Sequence, residues 1–168
     1  MVDDGATAPT TRQVAERAGV SVRLVFHHFH TIQGLLVAAA TLQAERHRHV
    51  LFDVPPRGPP ALRIRALCRQ RRLYFEALVP VHRVAGAGVS GETDLADLLA
   101  QDRIRLRSQL AGTLAPEVAG RGAEADVLLD ALEQATGWEA WRALRDVRGK
   151  TPAAAELAMA FTAVRLLS

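Results

Sequence analysis

The stretch from Thr10 to Leu36, TTRQVAERAGVSVRLVFHHFHTIQGLL, leaves few folds open to this chain. Its spacing predicts two short helices joined by a tight turn, with a third helix following at once. Thr10 is placed to cap the first helix, and Gln13 three residues on completes a capping box. Val14, Ala15 and Ala18 fall on one face. Gly19 ends the helix, since glycine takes the left-handed conformation of a C-cap at little cost. Val20 is expected to point inward and lock the two helices together. Ser21 caps the second helix, which carries Val25, Phe26 and Phe29. Small residues at these offsets let two helices cross closely, as a helix-turn-helix requires.

The remainder of the chain favours the same class. Leu and Ala abound, aromatic residues make up only 5% of the sequence, and helix-period patterning runs throughout, which argues an all-α fold. With 168 residues, 49% of them apolar, the chain is long enough for one or two small domains with a real core. A net charge of +3 and a pI near 9.9 suit an anionic partner. The single cysteine, Cys68, cannot form an internal disulfide, which points to a reducing, cytoplasmic setting. There is no signal-peptide pattern and no apolar run of the ~18 residues a membrane span needs, so no membrane partner is expected.

Ala15-Glu16-Arg17-Ala18-Gly19-Val20-Ser21, then Phe26-His27-His28-Phe29 and Leu35-Leu36, resemble the DNA-binding signature of TetR-type transcriptional regulators. In that family the pattern is similar to T-x-x-x-I-A-x-x-A-G-V-S-x-x-x-(L/V)-Y-x-H-F-x-(S/T)-K-x-x-L-L. The resemblance implies that Ser21 to His28 is a recognition helix with its N-terminal residues in the major groove. Arg23 would read guanine O6 and N7, and Val22 and Leu24 would contact thymine methyls. Ser21, His27, Thr11 and Thr31 would serve the phosphate backbone. Phe26 stands in place of the usual tyrosine and Ile32 in place of the usual lysine, so two phosphate contacts are lost and weaker backbone binding is expected. Family members carry a further helix before the hairpin, and residues 1–9, MVDDGATAP, are expected to be a disordered tail that cannot form it. That leaves a face of Val14, Val25, Phe29 and Leu36 without its usual cover.

The chain then reads as follows. Thr31 to about Leu51 is one long helix, with Ile32, Leu35, Leu36, Ala39 and Leu42 on one face. The prolines between Phe52 and Pro60 break it, so a head over residues 10–50 gives way to a body over 59–168. Pro60 to Val79 is a helix carrying Leu62, Leu67, Leu73 and Leu78. Its arginines, Arg63, Arg65, Arg69, Arg71 and Arg72, read as a solvated face. Pro80 restarts the chain as a short helix, and Gly86-Ala87-Gly88 is a loop. Ser90 caps a helix from Gly91 to Leu114 with Leu95, Leu98, Leu99, Leu106 and Leu110 inward. Pro116 to Gly122 is a mobile connector. Glu124 to Arg148 is a single helix with a stripe of Val127, Leu128, Ala131, Leu132, Ala135, Trp138, Trp141 and Leu144. Thr151-Pro152 opens a last helix with Leu157, Ala158, Phe161, Val164 and Leu167 inward. The closing pair also resembles the dimerising helices of TetR-type proteins, which implies a homodimer.

Three functions are open to such a chain. The first is a ligand-responsive repressor, binding a palindromic operator in double-stranded DNA as a homodimer. Its effector, apolar or aromatic, would lie among the central helices near Tyr74, His82 and Trp141. The second is a truncated TetR-like dimeric small-molecule-binding module without DNA binding. The third, an enzyme, finds no support in the spacing: no Ser-His-Asp or Cys-His context, phosphate-cradling loop or paired carboxylates occur. His27, His28, His30, His47 and His49 cluster without Cys, Asp or Glu at ligand spacing, so no metal and no cofactor are expected.

Overall fold

The computed structural model describes residues 10–86 and 93–168. The tail at residues 1–9, the loop through Ala87 and Gly88, the cap at Ser90 and the side chain of Leu95 lie outside the described residues. Among the described residues the structure is helical, without strands: α1 Thr11–Ala18, α2 Val22–Phe29, α3 Ile32–His47, α4 Pro60–Gly86, α5 Thr93–Thr113, α6 Ala115–Val118, α7 Ala123–Thr136, α8 Trp138–Arg142 and α9 Pro152–Leu166.

The helix ends follow the sequence signals. Thr10 and Gln13 form the capping box of α1, and Gly19 closes it at φ 68°. Ser21, Thr31 and Thr151 cap α2, α3 and α9 through their hydroxyls. Ala15 and Val25 are buried where α1 crosses α2. Val20 is not the inward lock expected of it; it is 38% exposed, because Ala15 and Val25 already fill that crossing.

Helix α3 ends at His47, short of Leu51, and passes through a tight 3-10 turn at Arg48–Val50. Its inward face is also shifted from the one read in the sequence. Ala40 and Ala44 are buried, while Ala39 and Leu42 are exposed. Alanines one turn apart bring the α3 backbone close against α4, and Gln43 Nε2 donates to the Ala77 carbonyl of α4 at 3.2 Å.

Helix α4 runs on through Pro80 instead of restarting there. The proline forfeits one helical hydrogen bond, but Leu78 and Val81 on either side are fully buried and hold the chain in line. Ile64, Leu67, Cys68, Tyr74, Phe75, Leu78 and Val81 form the core side of α4; Leu62 and Leu73 are exposed. Two arginines assigned to a solvated face are in fact inside: Arg63 and Arg71 are 5% and 0% exposed. Arg63 grips Glu117 with both terminal nitrogens and donates Nε to the Gly58 carbonyl at 3.2 Å. Glu117 belongs to α6, a helical turn opened by Pro116 where a mobile connector was expected.

The helix expected over Glu124 to Arg148 is broken at Gly137, which is extended (φ −81°, ψ 178°). A Cβ there would sit 2.8 Å from the Glu133 carbonyl oxygen, so the close turn requires glycine. Val127 faces outward at 70% exposure; Leu129, Leu132 and Thr136 are the buried side of α7. Beyond α8 the chain widens into a π turn at Ala143–Val147, and Gly149 closes it at φ 60°. In α9 the buried residues are Ala155, Met159, Ala160 and Ala163, whereas Leu157 and Phe161, expected inward, are 67% and 64% exposed. Small residues let α9 lie close on α4, which leaves its larger apolar side chains facing out.

The close α3–α4 approach makes Ala44 intolerant of bulk. Ala44→Leu is expected to destabilise the protein by about 1–3 kcal/mol in urea unfolding, while Ala39→Leu on the exposed face stays within about 0.5 kcal/mol. Equal effects at the two positions would refute the packing.

Candidate nucleic-acid interface and ligand cavity

Helix α2 is anchored from one side only. Val25 is buried and Phe29 half-buried, one turn apart against α1 and α3. Helical spacing then turns Arg23, Leu24 and His27 to the opposite side, where all three are exposed. Val22 and Phe26 flank them at 37% and 47% exposure. Ser21 Oγ takes the Leu24 amide at 3.1 Å, fixing the N-terminus of this rod. Thr31 likewise caps α3, whereas Thr11 is the first helical residue of α1 and half-buried, its capping place being taken by Thr10. His30 ends α2 at φ 54°, the sole non-glycine residue at positive φ among the described residues, and turns the chain sharply into α3. Residues 10–50 carry five arginines against two glutamates, so the field around this rod is positive. A short, capped, outward-facing helix with an arginine in its first turn has the form that enters a major groove.

A cavity of about 320 Å³ opens between α4, α5 and the junction of α7 with α8. Tyr74 and His82 line it, together with Arg71, Phe75, Leu99 and Trp138. Trp141 does not; it is buried behind, lining a second hollow of about 410 Å³ with Glu76, Pro80 and Arg145. The His82 imidazole lies flat on the Trp138 indole, 3.6 Å between centroids and 8° between planes, and this pair borders both hollows. Burial pushes His82 down to about 4, against a smaller upward pull from Glu139, so the ring is neutral near pH 7. Phe75 meets Trp138 edge-on at 5.7 Å.

The polar wall of the cavity has two parts. The Tyr74 hydroxyl donates to Asp102 Oδ2 of α5, and burial with that hydrogen bond pushes the phenol well above its usual range. Asp102 Oδ1 has no hydrogen-bond donor among the described residues; Arg48 Nε stands 3.9 Å away, itself buried and without an acceptor. Arg71 donates to the Thr136 carbonyl at 3.0 Å, to its hydroxyl, and to the Leu106 carbonyl at 2.7 Å, while its Nε has no acceptor. Burial lowers Arg71 to about 10, and the guanidinium remains charged at neutral pH.

Arg71, Trp138, Asp102 and Arg48 were not singled out for this site from sequence. Arg71 has the clearest signal in retrospect: it shares the helical phase of Leu67, Tyr74 and Leu78. Cys68 is buried, and its thiol is pushed up to about 12 chiefly by burial, which disfavours the thiolate a nucleophile needs. His47 and His49 point their Nδ1 atoms at the carbonyls of Gln43 and Arg46. No helix among the described residues is long and apolar enough to cross a membrane.

Residues 1–39 match the family model of the bacterial regulatory proteins, tetR family. No curated protein and no solved structure matches the chain. The matched segment contains α1, the Gly19 turn and the outward-facing α2, so the geometry and the match concern the same residues. By this N-terminal segment the chain is similar to the bacterial regulatory proteins of the tetR family.

Proposed function

We propose that this protein is a cytoplasmic, ligand-responsive repressor that binds a palindromic operator as a homodimer. Residues 10–50 are its DNA-binding head and residues 59–168 its ligand-binding and dimerisation body. The observation that carries the reading is α2 itself, held inward by Val25 and Phe29 and offering Arg23, Leu24 and His27 outward. Arg23 reads a guanine edge, Val22, Leu24 and Phe26 meet thymine methyls or sugars, and Ser21, His27, Thr11 and Thr31 lie toward the phosphates.

Dimerisation is supported by the large apolar side chains left outside. Leu157 and Phe161 lie one turn apart on α9, and Val127 stands out from the neighbouring α7. Covering such a side chain is worth about 1.5–3 kcal/mol, so a two-fold pairing of these helices is favoured. It would set two recognition helices about 34–36 Å apart, one turn of the duplex.

The 320 Å³ cavity has the size and mixed lining of a small-molecule site. Beside the packing of α3 on α4, two polar contacts tie the helices around the cavity to the head. Helix α4 holds α3 through Ala77 and Gln43, and Asp102 on the cavity wall faces Arg48 just beyond the end of α3. An effector that moves α4 or Asp102 by about 1 Å would close or open the Arg48 contact and tilt α3, changing the spacing of the two rods.

Two outcomes test this reading. In gel shifts against the DNA flanking the coding region, Arg23→Ala is expected to lose about 1–3 kcal/mol of preference for its operator over unrelated sequence. A wild-type protein with no salt-dependent DNA binding would favour the ligand-binding module without DNA recognition. In sedimentation, Leu157→Glu with Phe161→Glu is expected to shift the particle from twice the 18.2 kDa chain mass to a single chain. A double variant that still sediments as a dimer would remove α9 from the interface.

A further inference from the structure

The cavity walls pair their own carboxylates and leave a cation over. Asp102 stands between Arg48 and Arg105 at 3.9 and 4.0 Å and accepts from Tyr74. Glu133 is held by Arg107 at 2.6 Å, and Glu139 by Arg142 at 3.1 Å. Arg71 is different. It is 0% exposed, its terminal nitrogens meet only carbonyl and hydroxyl oxygens, and its Nε meets nothing among the described residues. Neutral acceptors satisfy hydrogen-bonding directions but leave the charge itself in a medium of low polarity. Glu133 acts on Arg71 at longer range, but its charge is already engaged by Arg107. Arg103, also on the cavity lining and exposed, adds a second cation with no carboxylate partner among the described residues.

The same cavity also has an aromatic part to its lining. His82 and Trp138 are stacked on one another within the lining, and Phe75 stands edge-on to Trp138. Leu78, Leu99 and Leu106 complete the apolar share of the lining. A cationic ligand would have to displace the arginines that already hold these three carboxylates. A neutral one would leave Arg71 as it is.

We propose that the cavity takes a planar aromatic acid, its ring against the His82–Trp138 stack and its carboxylate toward Arg71. The proposal rests on the reading of this cavity as the effector site and specifies the chemistry of what enters it. The ring supplies dispersion contact and edge-to-face geometry, and the carboxylate supplies the missing countercharge, with Arg103 at the rim drawing the anion in.

The test compares an acid with its uncharged isostere on the full-length protein. Calorimetric titration at pH 7.5 with 4-ethylbenzoate is expected to give binding about tenfold or more tighter than with 4-ethylbenzamide, the range a charge-assisted hydrogen bond supplies. Quenching of tryptophan emission places the event at the cavity, since the chain has two tryptophans, one lining the cavity and one just behind it. Arg71→Gln is expected to bind the two compounds equally. If that variant does not fold, Arg103→Gln on the surface is expected to narrow the acid's advantage severalfold with amide binding unchanged. Equal binding of acid and amide by the wild-type protein overturns the acid proposal and leaves the effector cavity standing. Binding of neither at millimolar concentration overturns both.

Discussion

One buried guanidinium fixes the arrangement of the C-terminal helices. Arg71 extends from the middle of α4 and ties the Leu106 carbonyl of α5 to the Thr136 carbonyl and hydroxyl at the end of α7. A helix end leaves its last carbonyls without partners, and burying them bare would be costly. Arg71 supplies the donors and also sits at the negative end of the α7 dipole. Gly137 is then free to turn the chain, and Trp138 swings onto His82. Had α7 continued straight, the space between α4, α5 and α8 would have another shape. The cavity is thus a consequence of how a broken helix is capped.

The same helix, α4, governs the other end of the molecule. Because Ala40 and Ala44 carry almost no side chain, α3 rests nearly backbone to backbone on α4. There is little compliant material between them to absorb a displacement, since close-packed interiors transmit strain. Helix α2 follows α3 through the sharp turn at His30. The direction of Arg23 therefore depends on where α4 lies, although Arg23 touches nothing on α4.

Much of this was legible in the sequence, and the failures share a cause. The caps at Thr10, Ser21, Thr31 and Thr151 and the turn at Gly19 are local, and local chemistry decides them. The outward side of α2 followed from the same short stretch. Faces of long helices were harder, because leucine alone was a poor guide. Leu62, Leu73, Leu42, Leu157 and Phe161 are exposed, while Ala44, Ala155, Ala163 and Cys68 lie fully inside. Where helices approach closely the small residues go in, and hydrophobicity underrates them. Arg71 was missed because charge outweighed phase in the reading of α4; its place between Leu67 and Leu78 was the better indicator. Pro80 and Gly137 were misread in opposite directions. Tertiary packing held the helix through the first and exploited the second as a hinge.

The magnitude of the proposed coupling is consistent with the contact that would carry it. Arg48 Nε and Asp102 Oδ1 are both buried, both lack hydrogen-bond partners, and stand 3.9 Å apart. At that separation they attract but do not bond; about 1 Å less would make a charge-assisted hydrogen bond, worth roughly 1.5–3 kcal/mol. Allosteric coupling between two sites is typically of about 1–3 kcal/mol. A single contact that closes in one state and opens in the other therefore supplies enough to bias operator binding. Asp102 also accepts from Tyr74 on the cavity wall, so a ligand that competes for the phenol alters the same carboxylate. In the proposed regulator, chemistry at the cavity and the tilt of α3 meet on one side chain, and a distributed pathway through the core is not required.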